Sequence, residues 1–141
     1  MKALKTIVAL ALAAAIAPLA AYGAEDLDTA PAMQAAQAWL AEVDAGRYGE
    51  SWDDSAAYFR ESVPKVKWQT ALDQFRAPLG VTVARKIHSA TYTHALPGAP
   101  AGEYVVIQYD TRFQNGPQSI ETVAPMREKD GTWKVAGYFI R

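Results

Sequence analysis

Apolar residues recur every three or four positions through the first half of the chain, which is the spacing that gathers them on one face of an α-helix. The first such stretch ends at Gly46, the second spans about 50–60, and the third begins after Pro64. Their apolar positions are, in chain order, Met33, Ala36, Leu40 and Val43, then Trp52, Ala56 and Phe59, then Trp68, Leu72, Phe75 and Leu79. The pattern predicts three amphipathic helices.

The periodicity changes near 78–80, and from Thr82 onward apolar and polar residues alternate, as they do in β-strands. Breaks occur at the loop 96–102, at Asn115-Gly116 and at Asp130-Gly131. Strands joined by such short connections are antiparallel. The pattern predicts an α+β domain, with three N-terminal helices packed on one side of a curved four-stranded antiparallel sheet.

The alternation also predicts which side of the sheet is buried. The core face of the second strand comprises Val105, Ile107, Tyr109, Thr111 and Phe113. The residues expected to continue this face are Thr122, Ala124 and Met126, with Phe139, Gly137 and Val135 beside them. The opposite face carries Val106, Gln108, Val123, Tyr138 and Ile140. Because a solvated sheet face is mainly polar, we hypothesise that this partly apolar face is the interface of a homodimer.

Composition narrows the classes of protein. The 141 residues carry a formal net charge of -1, with 50% hydrophobic and 21% charged residues, which is typical of one packed domain. Disorder and nucleic-acid binding are disfavoured, because the chain has neither a large surplus of charge nor a basic block. The absence of cysteine excludes thiol catalysis, disulfide exchange and thiolate metal sites.

Residues 1–23 have the character of a secretory signal peptide. Two lysines precede an alanine- and leucine-rich stretch, 6–16, which is too short to cross a bilayer. Small residues are required just before the cleavage site, and Ala21 and Gly23 meet this requirement. We predict cleavage after Gly23, a single mature domain over 24–141 without a membrane span, and a periplasmic location.

A series of short motifs carries a resemblance to a known family. The motifs are Trp39-Leu40, Gly46-Arg47-Tyr48, Ser51-Trp52, Phe59-Arg60, Trp68, Arg76-Ala77-Pro78-Leu79-Gly80, Leu96-Pro97-Gly98, Glu121-Thr122-Val123 and Ala136-Gly137-Tyr138-Phe139-Ile140-Arg141. Over almost the whole mature chain, this series resembles the bacterial domain of unknown function 4019 family. The resemblance implies a cystatin-like fold, close to the nuclear transport factor 2-like folds, in which a bent sheet wraps around helices and often leaves a pocket. It implies no activity and no catalytic residue.

The chain has no motif for nucleotide binding, for a zinc hydrolase or for a serine nucleophile. The two histidines, His88 and His94, lie about 20 Å apart on a regular strand, which is too far to bind one metal ion together. We therefore predict surface positions for both histidines, no metal site and no cofactor.

Glu121 is the carboxylate of most interest, because its partner across the predicted hairpin depends on the length of the loop. A two-residue turn before it would place Asp110 opposite Glu121, as an acid-base dyad with one raised pKa. Such a turn uses an N–H group that Pro117 lacks, so a four-residue loop, 115–118, is favoured. In that register Arg112 faces Glu121 in an ordinary cross-strand ion pair.

The predicted core face is poor in groups for proton transfer, and Tyr109 and Arg141 are its main polar residues. Tyr109 is either a proton donor or a buried tyrosine with a hydrogen-bonded hydroxyl, and the second reading is favoured. Tryptophans suit the wall of an apolar pocket, and arginines suit an anionic ligand. The candidate pocket residues are Trp39, Trp52, Tyr109, Arg85 and Arg141, with Arg76 as a further arginine.

These observations favour a small exported binding or protein-interaction module without catalytic chemistry. Its expected partner is a second copy or a small apolar or anionic ligand. An isomerase- or dehydratase-type pocket enzyme that uses proton transfer is an alternative. Inhibition of a secreted hydrolase through exposed hairpin loops is a third function, and it rests on the resemblance of the fold alone.

Overall fold

The computed structural model describes residues 29–141, and the predicted signal peptide and its cleavage site lie outside the described residues. The helices are α1 (29–44), α2 (Tyr48–Asp53), α3 (Ala57–Ser62) and α4 (Lys65–Phe75), followed by a 3₁₀ turn at Ala77–Leu79. The strands are β1 (Thr82–Thr93), β2 (Tyr104–Phe113), β3 (Ser119–Arg127) and β4 (Trp133–Ile140). This order confirms the predicted α+β fold, in which helices precede an antiparallel sheet.

The two longer helices follow the predicted apolar stripes. The buried members of these stripes are Ala36, Leu40 and Val43 in α1 and Trp68 and Leu72 in α4. Gly46 follows α1 in the left-handed conformation, with a φ of 77°, which a residue without a Cβ adopts at little cost. The spacing of three and four residues therefore identifies the helix faces that pack on the core.

The second predicted helix is in fact two helices, α2 and α3. They are separated at Ala56, whose backbone is extended, with φ -59° and ψ 148°, and whose N–H donates to the carbonyl of Val135 at 2.8 Å. The hydroxyl of the neighbouring Ser55 is buried and donates to the carbonyl of Ser51. The contact with β4 interrupts the helix, and helix propensity carries no information about such a contact.

The strands form one sheet in the order β1-β2-β3-β4, and all neighbouring pairs are antiparallel. The β3–β4 hairpin has the predicted pairs Thr122–Phe139 and Ala124–Gly137. A bulge then places Val135 opposite Pro125 instead of Met126.

The predicted register between β2 and β3 is wrong by an odd number of residues. Glu121 pairs with Tyr109, whereas the expected partner was Arg112 or, with the shorter turn, Asp110. Because directly opposed side chains share a face, Glu121 and Val123 lie on the core face. Asp110 and Arg112 lie on the other face, so neither the predicted ion pair nor the acid dyad is present.

Hydrogen bonds at the end of β2 explain this difference. The N–H groups of Gln114 and Asn115 donate to carbonyls of the segment 79–81, at 2.8 and 2.9 Å. These bonds hold the chain against the segment that precedes β1, so that it cannot turn at once toward β3. The β2–β3 pairing begins only with Thr111 and Ser119.

The same register corrects the predicted interface face. Val123 is fully buried and Tyr138 packs against the core, so both were wrongly assigned to the free face of the sheet. Ile140 pairs with Glu121 and therefore also belongs to the core side, at the edge of the sheet. Thr122 and Phe139 lie on the free face instead, where the predicted Val106 and Gln108 are also found.

The core lies between the helices and the inner face of the sheet. The five residues predicted for the core face of β2 are all buried. The ring centroids of Trp39 and Tyr138 are 5.2 Å apart, and those of Phe59 and Trp68 are 4.9 Å apart. Such edge-to-face pairs contribute about 0.5–1.5 kcal/mol each beyond the burial of their area, so this aromatic cluster joins the helices firmly to β4.

Candidate functional site

Glu121 is the centre of a buried polar network. Its side chain is fully buried and accepts hydrogen bonds from Arg85 Nε at 2.8 Å, from Thr111 Oγ1 at 2.6 Å and from the hydroxyl of Tyr138. A buried carboxylate is costly unless it is paired and hydrogen-bonded, and these three donors meet that requirement. Both oxygens of Glu121 are therefore engaged.

The network continues from β1 to α1 through two arginines. Arg85 donates to both oxygens of Asp44, with Nη–Oδ distances of 2.7 and 2.9 Å. Arg76 donates to Asp44 at 3.3 Å, to Thr82 at 3.1 Å and to the carbonyl of Gly80 at 2.7 Å. Two acids and two guanidinium groups alternate, so the network is balanced in charge.

The electrostatics of the network favour fixed protonation states. Burial alone would raise the pKa of Asp44, but hydrogen bonds from Arg85 and its charge outweigh burial and lower this pKa. The pKa of Tyr138 is raised far above its ordinary range, first by burial and then by the adjacent Glu121. At neutral pH the tyrosine is protonated and the aspartate is charged, and the network is suited to holding elements together rather than to moving protons.

Tyr109 lies beside this network without joining it. Its side chain is buried, and the Arg85 guanidinium lies 6.0 Å from the centre of its ring. Among the described residues, none forms a hydrogen bond with its hydroxyl. Burial raises the pKa of this hydroxyl. Tyr109 is therefore buried, as expected, but it lacks the hydrogen bond that the favoured reading predicts.

The structure brings together only two of the five predicted pocket residues, Arg85 and Tyr109. Trp39 is a core residue, and its indole N–H donates to the carbonyl of Ser51 at 2.8 Å and to Ser55 Oγ at 3.0 Å. Trp52 lies in the helical layer and donates to the carbonyl of Val63 at 2.7 Å. Arg141 is exposed beyond the end of β4. These five side chains do not line one cavity.

An apolar groove of the described structure lies instead between α4 and β4, with a volume of about 400 Å³. Its lining includes Trp68, Leu72, Phe75, Leu79, Tyr138 and Ile140. Phe75 is 72% exposed, although the sequence predicts it as a core residue. The apolar stripe of α4 extends beyond the part of the helix that packs against the sheet. The spacing of apolar residues does not indicate where this packing ends.

The exposure of Phe75 is unusual for a phenylalanine, and Phe139, which also borders the groove, is 66% exposed. Burial of such a side chain is worth about 1.5–3 kcal/mol. An apolar surface of this kind is characteristic of binding sites. The groove is accordingly a candidate for ligand binding.

Glu42 and Asp54 form a second titratable feature, near a cleft of about 230 Å³ that Trp39 and Trp133 also line. Burial and a hydrogen bond with Asp54 raise the pKa of Glu42 to about 7, and the negative charges of Asp54 and Glu50 act in the same direction. A neighbouring carboxylate disfavours the charged form of a carboxyl group in this way. The sequence does not reveal the pair, because its members come from different helical segments.

The histidines show no sign of metal binding. His88 is exposed and its Nδ1 lies 3.2 Å from Asp110 Oδ2, while His94 packs its ring against Tyr92. In residues 29–141 no three histidine, aspartate or glutamate side chains cluster in a way that could hold a metal ion.

Comparisons with known proteins agree with the resemblance seen in the sequence. The family model described as "Protein of unknown function (DUF4019)" matches residues 35–138, which extend from α1 to β4. A search among curated proteins finds no significant match. None of the described helices has both the length and the apolar character that a bilayer crossing requires. The chain belongs to the DUF4019 family of proteins of unknown function.

Proposed function

We propose that the protein is a binding module without catalytic chemistry, and that its ligand occupies the groove between α4 and β4. The observation that carries the proposal is the exposure of Phe75 beside an apolar groove of about 400 Å³. A ligand with apolar groups would cover this side chain and remove its surface from water, which is the main source of affinity for such sites.

The environment of Glu121 supports a binding role over proton-transfer catalysis. A general base needs a free lone pair within reach of a substrate. The oxygens of Glu121 already accept bonds from Arg85, Thr111 and Tyr138, and its side chain is fully buried.

Binding of an apolar fluorescent probe, anilinonaphthalene sulfonate, tests the groove. Phe75→Ser should weaken binding about tenfold, which corresponds to about 1.4 kcal/mol of lost apolar contact. Val66→Ser is the matched control, because Val66 lies on the same helix, is equally exposed at 72% and is not part of the lining. Equal affinities of the two variants and the wild type would contradict the proposal.

We also propose a homodimer through the free face of the sheet, with the corrected set of residues. Val106, Gln108, Thr122 and Phe139 on this face are uncharged, and Phe139 is largely exposed. This uncharged patch, which Asp110 and Arg112 border on the same face, fits an isologous contact. Sedimentation of Val106→Lys should give a monomer, whereas Val83→Lys, at an exposed position of β1, should match the wild type. A wild-type mass that stays monomeric at every concentration would refute the dimer.

Export to the periplasm is likewise a proposal, and it rests on the character of residues 1–23. Mass spectrometry of the protein from a periplasmic extract should find a chain that begins at Ala24. A full-length chain that stays in the cytoplasmic fraction would contradict export.

A further inference from the structure

The end of β4 presents backbone groups that have no partner strand among residues 29–141. β4 is the last strand of the sheet, with β3 on one side only. Arg141 and Ile120 exchange two hydrogen bonds, at 2.8 and 3.1 Å, so the backbone of Arg141 points toward β3. Along a strand, the backbone N–H and C=O groups of successive residues point to alternate sides. Those of Tyr138 and Ile140 therefore point away from β3.

The other edge segments of the described sheet are either occupied or less regular. At the beginning of β4, the carbonyl of Val135 accepts a hydrogen bond from Ala56 at 2.8 Å. The opposite edge, β1, has register shifts between Thr82 and Ala84 and between Ile87 and Ser89. Such irregularities hinder a second strand from pairing along the whole length of an edge. β1 keeps regular runs at 84–87 and 89–93, but the segment 138–140 is the edge segment of the described sheet that borders the apolar groove between α4 and β4.

Apolar residues flank this open edge on both faces of the sheet. On the core side, Phe75 and Leu79 line the groove next to Ile140. On the free side, the ring of Phe139 packs near Gly137, where a Cβ would lie 3.7 Å from Phe139 Cε2. Side chains of an added strand alternate between the two faces, so one strand would cover both exposed phenylalanines.

We propose that the partner is an extended apolar segment of another polypeptide, which adds to β4 as a fifth strand. The backbone N–H groups of Tyr138 and Ile140 donate to its carbonyls, and their carbonyls accept from its N–H groups. Its core-side residues enter the groove, and its other residues cover Phe139. This inference rests on the proposed function of the groove and adds the class of ligand.

The first test uses a short synthetic peptide with the centre Val-Phe-Val-Phe-Val, flanked by serine and lysine. Its binding should slow hydrogen exchange at the amides of Tyr138 and Ile140 about tenfold or more. Peptides that are N-methylated at one or the other alternate set of residues are matched controls. In the added strand, only alternate N–H groups face β4 and donate to it. Methylation of these groups should lower the affinity about tenfold, whereas methylation of the other N–H groups should leave the affinity as it is in the parent peptide.

A variant of the protein tests the same contact from the other side. Ile140→Pro removes an N–H that points away from β3, a change that edge positions tolerate. It should weaken binding of the parent peptide about tenfold, whereas Ile140→Ala, which also shortens the side chain but keeps the N–H group, should weaken it less. If the variant does not fold, the two methylated peptides still decide the question.

The outcomes separate strand addition from the proposed groove function. Equal affinity of both methylated peptides, or binding of the fluorescent probe without binding of the parent peptide, would overturn strand addition and leave the groove function standing. Failure of both the probe and the peptide would overturn both. Protection of the Tyr138 and Ile140 amides that rises with protein concentration in the absence of peptide would overturn the proposal in favour of a second copy at this edge.

Discussion

At the scale of single residues, burial decides how Glu121 is paired. Its carboxylate is out of contact with water, and Arg85 is its charged partner. Loss of one member of such a pair leaves an uncompensated buried charge, which is more costly than the pair is stabilising. Arg85 also binds Asp44, so a single guanidinium connects the sheet to α1.

Arg85→Met should lower the free energy of unfolding by about 3 kcal/mol, because it leaves Glu121 buried without its charged partner. Urea unfolding measures this change. Arg112→Met, at an exposed position on the opposite face, should change the stability by less than about 0.5 kcal/mol. The double variant Arg85→Met/Glu121→Gln should recover part of the loss. A larger cost for Arg112→Met than for Arg85→Met would contradict the register described above.

The raised pKa of Glu42 predicts a dependence of stability on pH. The pKa is about 7 in the folded chain and near 4.5 without these contacts, so the folded chain binds more protons between these values. Stability should therefore fall as pH rises from about 4.5 through 7, as Glu42 loses its proton beside Asp54.

Glu42→Gln should flatten this dependence and raise stability at pH 8 by about 1 kcal/mol or less, since the pair is partly solvated. Thermal unfolding at a series of pH values is the measurement. Glu61→Gln, at an exposed position of α3, is the control and should retain the wild-type slope. An unchanged slope in Glu42→Gln would contradict the assignment.

At the scale of elements, the local sequence pattern reveals the buried face of a helix more fully than the register of two paired strands. The stripe of α1 predicts its buried face, because contacts three and four residues apart are local. The β2–β3 register depends on the hydrogen bond from Asn115 to Leu79, which joins residues far apart in sequence. A pattern of period two fits either register equally well, since each gives a consistent alternation.

Engineered cysteines test the β2–β3 register. Gln108 lies opposite Thr122, and the backbone of Thr122 points toward β4, so this is a pair without mutual hydrogen bonds. Its Cα separation of about 4.5 Å suits a disulfide. The Gln108→Cys/Thr122→Cys variant should oxidise fully and gain up to about 3 kcal/mol in stability.

The chain has no native cysteine, so thiol titration and mass spectrometry read this bond directly. Arg112→Cys/Thr122→Cys is the control, because its two positions share the free face but lie too far apart to bridge. A disulfide in the control and none in the test pair would refute the register.

At the scale of the whole molecule, one core and one polar network join the helices to the sheet. Trp39 and Trp68 from the helices contact Tyr138 of β4, and Arg85 links Asp44 to Glu121. Elements that share a core in this way unfold together rather than in stages.

We expect urea unfolding curves from tryptophan fluorescence and from far-ultraviolet circular dichroism to coincide, with midpoints within about 0.2 M. The fluorescence reports mainly the helical layer, where Trp39 and Trp68 are buried, and the dichroism reports helices and sheet together. Separate midpoints would show that the helical layer unfolds independently of the sheet.

The sequence by itself determined the class of the fold, the buried faces of α1 and β2, and membership of the family. These features depend on local spacing, or on a series of motifs that can be read along the chain. Only the tertiary structure decided the partner of Glu121, the break at Ala56 and the exposure of Phe75. The first two depend on contacts between residues distant in sequence, and the third depends on where such contacts end. Local periodicity does not encode these contacts.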